Sequence, residues 1–242
     1  MISSKYLVLN QILRAGEGYI SGQDIAEELA ISRSAVNKAV TALRNEGYTV
    51  EALNHEGYHM DERPDLINYG ELLYYMNSKR VENIAVYGEV VSTNVTLHEL
   101  AEKGVTNGYT VIAASQTGGR GREGSGFDSP DNKSIYMSYL IRPDMSKEIS
   151  YKEITPAAAD IVAESLRDLL SGEIALGVNY PGDVCLDGKK ICGILTEMLM
   201  EAESGFIRYI MLGIGVRPIK NIRRSELVSK IIDKLDTKII GK

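Results

Sequence analysis

The feature that most constrains this 242-residue chain is a change of hydrophobic period soon after residue 60. Before it, apolar residues recur at helical spacing. Tyr6, Leu9, Ile12 and Leu13 define a first helix over residues 4–15, stopped by Gly16 and Gly18. Ser21, with Asp24 three residues on, starts a second helix whose inner face is Ile25, Ala26 and Leu29. Ser32 caps a third, which runs through Val36, Val40 and Leu43 to Gly47. Residues 48–60 then read as two short strands around Asn54-His55-Glu56-Gly57, a hairpin signal.

Asp61-Glu62-Arg63-Pro64-Asp65 is polar, carries a proline and is the best candidate for a linker. Beyond it strands and helices alternate. Strands are expected near 84–91, 109–115, 133–142, 183–187, 190–199 and 206–216, and helices near 70–80, 94–103, 156–171 and 224–235. Consecutive strands late in the chain call for a mixed sheet with antiparallel hairpins. The expected fold class is therefore α/β of the α+β kind, with one domain over residues 1–63 and a mixed-sheet domain over 64–242. A hydrophobic content of 44% suffices for such cores without disulfides. Cys185 and Cys192 match no zinc spacing, and with three histidines in the chain no metal site is expected. The N-terminus has no long apolar run or cleavage site, and no stretch is long enough to cross a membrane, so a cytoplasmic protein without a membrane partner is expected.

Three short helices followed by a hairpin follow the plan of a winged helix-turn-helix. With Val36, Val40 and Leu43 turned inward, Arg33, Ser34, Asn37, Lys38 and Thr41 share the outer face of the third helix. Arg and Asn there suit base edges, and Lys and Ser suit phosphates. The chain carries a net charge of −6, so DNA contact has to come from a local patch, and residues 33–44 hold three basic residues and no acid. The alternative is a helical domain with a solvated polar face, or one that contacts protein only.

Two segments of the second domain point to a ligand. Ser92-Thr93-Asn94 lies where a strand meets a helix, and its small polar groups can cap that helix, donate to a polar ligand head, or both. Gln116-Thr117-Gly118-Gly119-Arg120-Gly121-Arg122-Glu123-Gly124-Ser125-Gly126 interleaves glycines with two arginines. Its glycines allow close backbone approach, and its arginines suit phosphate or carboxylate oxygens. It is neither a Walker loop nor a dinucleotide fingerprint. It reads either as a plain surface loop or as a segment that orders over an anionic or strongly polar ligand.

Taken in order, these motifs are similar to those of the bifunctional biotin–protein ligase and biotin operon repressor family. The series is Ser92-Thr93-Asn94, Gln116, Gly119-Arg120-Gly121-Arg122, Ser129-Pro130, residues 134–138, Pro181, Asp183, residues 187–198 and Gly213-Ile214-Gly215. In the first domain residues 32–38 and Glu56-Gly57-Tyr58 match as well. The resemblance implies that biotin is joined to AMP with ATP and Mg, that the adenylate modifies a lysine of a biotin carboxyl carrier domain, and that it promotes dimerisation on operator DNA. It implies biotin contacts from Ser92, Thr93, Asn94, Gln116, Gly119, Arg120, Gly121, Arg122 and Gly193, with Arg120, Arg122 and Lys190 toward the nucleotide phosphate.

The pattern breaks on the ATP side. Asn179 stands where the family has a lysine, Gly182 where it has an asparagine, and Arg217 where it has another asparagine. The sequence ends soon after the helix at 224–235, so the family's small C-terminal β domain is expected to be missing. Two readings follow: a biotin-responsive regulator, binding biotin or biotinyl-AMP as effector with little or no ligase activity, or an active bifunctional ligase and repressor with an altered site. A related acid such as lipoate is a third candidate ligand.

Overall fold

The computed structural model describes residues 2–121, 133–143, 151–171 and 175–241. It divides into two compact units, Met1–Glu82 and Asn83–Lys242. The first unit opens with helices α1 (Ser4–Arg14), α2 (Gly22–Glu28) and α3 (Arg33–Asn45), then the antiparallel hairpin β1 (Thr49–Leu53) and β2 (Gly57–Glu62). The expected caps are in place: Ser21 Oγ accepts from the Asp24 amide at 3.0 Å, and Ser32 Oγ from the Ala35 amide at 3.2 Å. Each supplies a partner to an amide that the first helical turn leaves unpaired. Val8, Leu9, Ile12, Ile25, Val36, Val40 and Leu43 are fully buried and form the centre of this unit.

This unit reaches past the boundary expected at 63/64, because the next segment packs back onto it. Asn68 caps α4 (Tyr69–Tyr75), its Oδ1 accepting from the amides of Gly70 and Glu71, both at 3.0 Å. Gly70 lies against Tyr6 and Leu9 of α1, where a Cβ would be 2.8 Å from the Tyr6 carbonyl oxygen. The Glu71 carboxylate is fully buried and accepts from Arg63 Nε at 2.9 Å and from the Tyr48 hydroxyl at 3.1 Å. A buried carboxylate needs such partners, since desolvating it alone costs several kcal/mol. Burial, and then the Glu71 charge, push the Tyr48 hydroxyl pKa up. The single helix expected over 70–80 is instead two, α4 and α5 (Ser78–Val81), separated by extended backbone at Met76. Asn77 causes the restart: its Oδ1 accepts from the Arg80 amide at 2.9 Å.

Among the described residues, the second unit is a seven-stranded sheet with three helices: β3 (Ile84–Val90), α6 (Thr93–Glu102), β4 (Thr110–Gln116), β5 (Ile135–Ile141), α7 (Tyr151–Arg167), β6 (Leu176–Asn179), β7 (Asp183–Leu186), β8 (Lys189–Met200), β9 (Ile207–Val216) and α8 (Arg224–Lys238). The strand order is β3-β4-β5-β9-β8-β7-β6. Only β3–β4 is parallel; every other neighbouring pair is antiparallel, giving the mixed sheet with hairpins that the sequence predicts. All seven residues of β5 are buried, as befits a central strand covered on both faces. The β7–β8 turn places Asp187 and Gly188 at φ 49° and 74°, the left-handed pair that tight hairpins favour. Strand β6 is absent from the sequence-based expectation, and α7 begins at Tyr151, upstream of the expected start, carrying Pro156 inside it.

One consequence of this topology positions the site. Strands β4 and β9 both run antiparallel to β5, so they are parallel to each other and end at the same edge of the sheet. Strand β3, parallel to β4, ends there too.

Candidate functional site

At that edge lies a cavity of about 600 Å³, the size of a small-molecule site. Its polar wall is the start of α6. Ser92 has the extended backbone of an N-cap, yet its hydroxyl makes no cap hydrogen bond. The side chain is 6% exposed, lines the cavity and has no partner among the described residues. Of the two roles the sequence left open for it, cap and ligand contact, the cap is unfilled. Thr93 donates to Gln116 Oε1 from its amide at 2.8 Å and from its hydroxyl at 3.2 Å, tying α6 to the end of β4. Ser138 Oγ, from β5, lies 2.7 Å from Thr93 Oγ1 and 2.5 Å from Asn94 Oδ1, and donates between them. Asn94 Nδ2 donates to Glu197 Oε2 on β8 at 2.6 Å. A carboxylate only accepts, so Glu197 fixes which end of the Asn94 amide faces Ser138.

Gly213 of β9 makes room for this network. A Cβ there would meet Asn94 Oδ1 at 2.9 Å and Nδ2 at 3.2 Å, so only glycine lets the amide lie flat on the strand.

The opposite wall is built from β7, β8 and the end of β9. Asp183, Lys190, Gly193 and Arg217 line the cavity there, and Arg120 and Gly121, which follow β4, line it as well. Lys190 Nζ sits 2.9 Å from Asp183 Oδ2. Cys192 also lines the cavity; burial, then the nearby Asp183 charge, push its thiol pKa up, so it stays a neutral wall atom. Gly119 is not among the lining residues, and Arg122 lies outside the described residues, as does the loop over 122–132. Asn179 is exposed, donates to Cys185 Sγ at 3.4 Å and does not line the cavity. Gly182 is closely packed: a Cβ would meet Thr155 Cγ2 at 2.8 Å, so an asparagine would require Thr155 to move.

In the first unit Arg33, Ser34, Asn37, Lys38 and Thr41 are all exposed, and Ser34, Asn37, Lys38 and Thr41 line one shallow groove along α3. Thr41 Oγ1 donates back to the Asn37 carbonyl at 3.0 Å. Arg44, the third basic residue of this helix, is turned away: its Nε and Nη2 donate to the Val50 carbonyl at 3.0 and 2.6 Å.

Comparison with known proteins matches residues 7–59 to a family model described as an HTH domain. Residues 87–216, more than half of the chain, match the biotin/lipoate A/B protein ligase family. The chain belongs to that family. It is 35% identical over 204 residues to the bifunctional ligase/repressor BirA of Bacillus subtilis, covering 84% of this chain and 61% of that protein. It is 30% identical over 210 residues to BirA of Escherichia coli, covering 87% and 62%. The chain thus spans about three fifths of the length of these curated relatives. Among solved structures, the biotin protein ligase of Leishmania major in complex with biotinyl-5-AMP aligns with a TM-score of 0.53 at 22% identity, over 63% of this chain and 73% of that one. The Aquifex aeolicus biotin protein ligase in complex with biotin and ATP aligns at 0.52 and 24% identity, over 64% and 69%. These structures share the mixed-sheet fold of the second unit. No helix among the described residues is long and apolar enough to cross a membrane.

In this member of the family, three residues that shape the site carried no assigned role in the sequence: Ser138, Glu197 and Gly213. Each sits on a different strand, and each acts on Asn94. All three fall inside the motif series read from the sequence, and the acid at position 197, following the largely apolar run Ile191–Leu195 of β8, was the further local signal.

Proposed function

We propose that this protein is a biotin-responsive transcriptional regulator: the second unit binds biotin or biotinyl-AMP, and α3 reads operator DNA. The observation that carries the reading is the organised polar wall around an unspent buried hydroxyl, Ser92, in a cavity of about 600 Å³. A small ligand with a polar head and an apolar body suits such a wall, because the network holding Thr93, Asn94 and Gln116 is formed before the ligand arrives. The helix-turn-helix match and the exposed groove of α3 support the DNA-binding role.

The protein acts as a homodimer, since two-fold pairs suit operators of two half-sites. Strand β8 supports this: it pairs with β7 through residues 189–193 and continues to Met200, so its second half has β9 on one side and, among the described residues, no paired strand on the other. Met198 and Met200 are exposed along it.

Ligase activity is weak or lost on this reading. No cation occupies position 179, and removing one electrostatic contact to a reacting centre typically costs a factor of about a hundred or more in rate. The names of the Bacillus subtilis and Escherichia coli relatives favour a second reading, in which the chemistry survives. Calorimetry with biotin, with ATP-Mg and with both separates the two. Biotin binding without pyrophosphate release supports the regulator, whereas stoichiometric or catalytic pyrophosphate release in the presence of both supports the ligase. Absence of binding to both biotin and biotinyl-AMP refutes both.

A further inference from the structure

The outer face of α3 has fewer polar groups to offer a partner than its sequence suggests. Arg33, Asn37 and Thr41 recur every fourth residue and form one stripe, while Val36, Val40 and Leu43 on the other side are fully buried. All three stripe residues are exposed, as are Ser34 and Lys38 beside them. The hydroxyls of this face are engaged within the helix. Thr41 Oγ1 donates to the Asn37 carbonyl at 3.0 Å, and Ser34 Oγ lies 2.8 Å from the Oγ of the capping Ser32. The side chains of Arg33, Asn37 and Lys38 have no partner among the described residues. Of these, only the Asn37 carboxamide carries a donor and an acceptor together. The Cβ of Thr41 holds one further heavy atom, its methyl carbon. With the hydroxyl proton bonded to the backbone, that methyl is the group Thr41 has left for a partner.

These two chemistries match different base edges in the major groove. A carboxamide pairs its donor and acceptor with the N7 and N6 groups of adenine, and a threonine methyl packs on the C5 methyl of thymine, which cytosine lacks. Residues four apart on a helix are displaced by about 6 Å along its axis, and successive base pairs by about 3.4 Å, so the two contacts fall within about two base steps when α3 lies along the groove. We propose that Thr41 is a specificity-determining residue of the DNA interface, reading thymine through its methyl group, and that Asn37 reads an adenine within about two base steps of it. The inference rests on α3 as the reading helix. The Thr41 oxygen keeps a lone pair able to accept from a base amino group, and the variants below separate that contact from the methyl one.

The test begins with selection of binding sites from a random duplex library by the full chain, without effector, with biotin and with biotinyl-AMP. In the selected site each thymine is replaced singly by deoxyuridine, which lacks only the methyl, and each adenine by 7-deazaadenine, which lacks the N7 acceptor. One deoxyuridine is expected to weaken wild type by about threefold or more, the scale of one buried methyl. Thr41→Ser, which keeps the hydroxyl, is expected to bind the thymine and deoxyuridine sites alike, whereas Thr41→Val, which keeps a methyl, should retain the discrimination. One 7-deazaadenine within about two steps should weaken wild type by about threefold or more and leave Asn37→Ala unaffected. If no deoxyuridine matters, or if its penalty persists in Thr41→Ser, Thr41 does not read thymine and the proposal is overturned, while the DNA-binding reading stands. If no 7-deazaadenine matters, or if Asn37→Ala still feels it, the assignment of Asn37 is overturned in the same way. If wild type enriches no sequence under any of the three conditions, the DNA-binding reading falls and this inference falls with it. Both residues are exposed, so the variants are expected to fold, and circular dichroism checks it.

Discussion

Substitution of Gly213 by alanine tests the packing on which the polar wall depends. The added Cβ would lie 2.9 Å from Asn94 Oδ1 and 3.2 Å from Nδ2. Neither side can retreat freely: β9 is held between β5 and β8, and Asn94 is 5% exposed and bonded at both ends of its amide. If Asn94 swings away, it forfeits a neutral hydrogen bond worth about 1 kcal/mol and one to a carboxylate worth roughly 1.5–3 kcal/mol. If it stays, the overpacking costs about 1–3 kcal/mol. The first route predicts a loss of unfolding free energy of roughly 2.5–4 kcal/mol and the second about 1–3 kcal/mol, each read as a lower denaturant midpoint at unchanged slope. Biotin affinity should fall by about tenfold or more, which corresponds to 1.4 kcal/mol. A double-mutant cycle sharpens the test. Asn94→Ala removes the atoms that the new methyl meets, so Gly213→Ala should cost much less on that background, with a coupling of at least about 1 kcal/mol. A stable single variant, or additivity within about 0.5 kcal/mol, would refute the reasoning.

Asn179→Lys should strengthen biotinyl-AMP binding more than biotin binding. Residue 179 pairs in register with Asp183, a cavity-lining residue, so a lysine would project from the same face; an unchanged ratio of the two affinities would show that this face does not meet the phosphoryl group. Arg33→Ala and Lys38→Ala should each weaken operator binding and leave biotin affinity unchanged; a gel-shift titration giving wild-type DNA affinity for both removes α3 as the reading helix. The salt dependence of DNA binding should be shallow. Arg44 is engaged with Val50, and residues 49–62 hold Glu51, Glu56, Asp61 and Glu62 with no lysine or arginine, which leaves two cations on α3 for phosphates, or twice two in a dimer. That gives a slope of log K against log salt of roughly −2 to −4, and a slope steeper than about −6 would mean that cations elsewhere carry the contact.

The parts of this structure that were legible in the sequence are those decided over a few residues. The caps at Ser21 and Ser32 form within three residues, and the inward faces of α1 and α3 follow from spacing alone. Strand β6 was not legible because it has only two apolar residues, Leu176 and Val178, and gains its place by pairing with β7. The break at Asn77 was hidden because an asparagine within a helical pattern competes for the backbone only if the chain ahead of it leaves the helix.

At the site, Ser92, Thr93, Asn94 and Gln116 were found as motifs, but the contacts that hold them span long separations: 44 residues for Ser138 to Asn94 and 103 for Asn94 to Glu197. Charge shows the same limit more sharply. Read along the chain, the change to Asn179 is the loss of a cation. In space, Asn179 lies off the cavity, Lys190 is offset by Asp183, and Arg217 arrives from the end of β9, which lies across β5 from the end of β4. A motif position records which residue is present, whereas the field at a ligand depends on where strands end relative to one another. The charge of this cavity therefore depends on the strand order β4-β5-β9 as well as on the residues of the recognisable motifs.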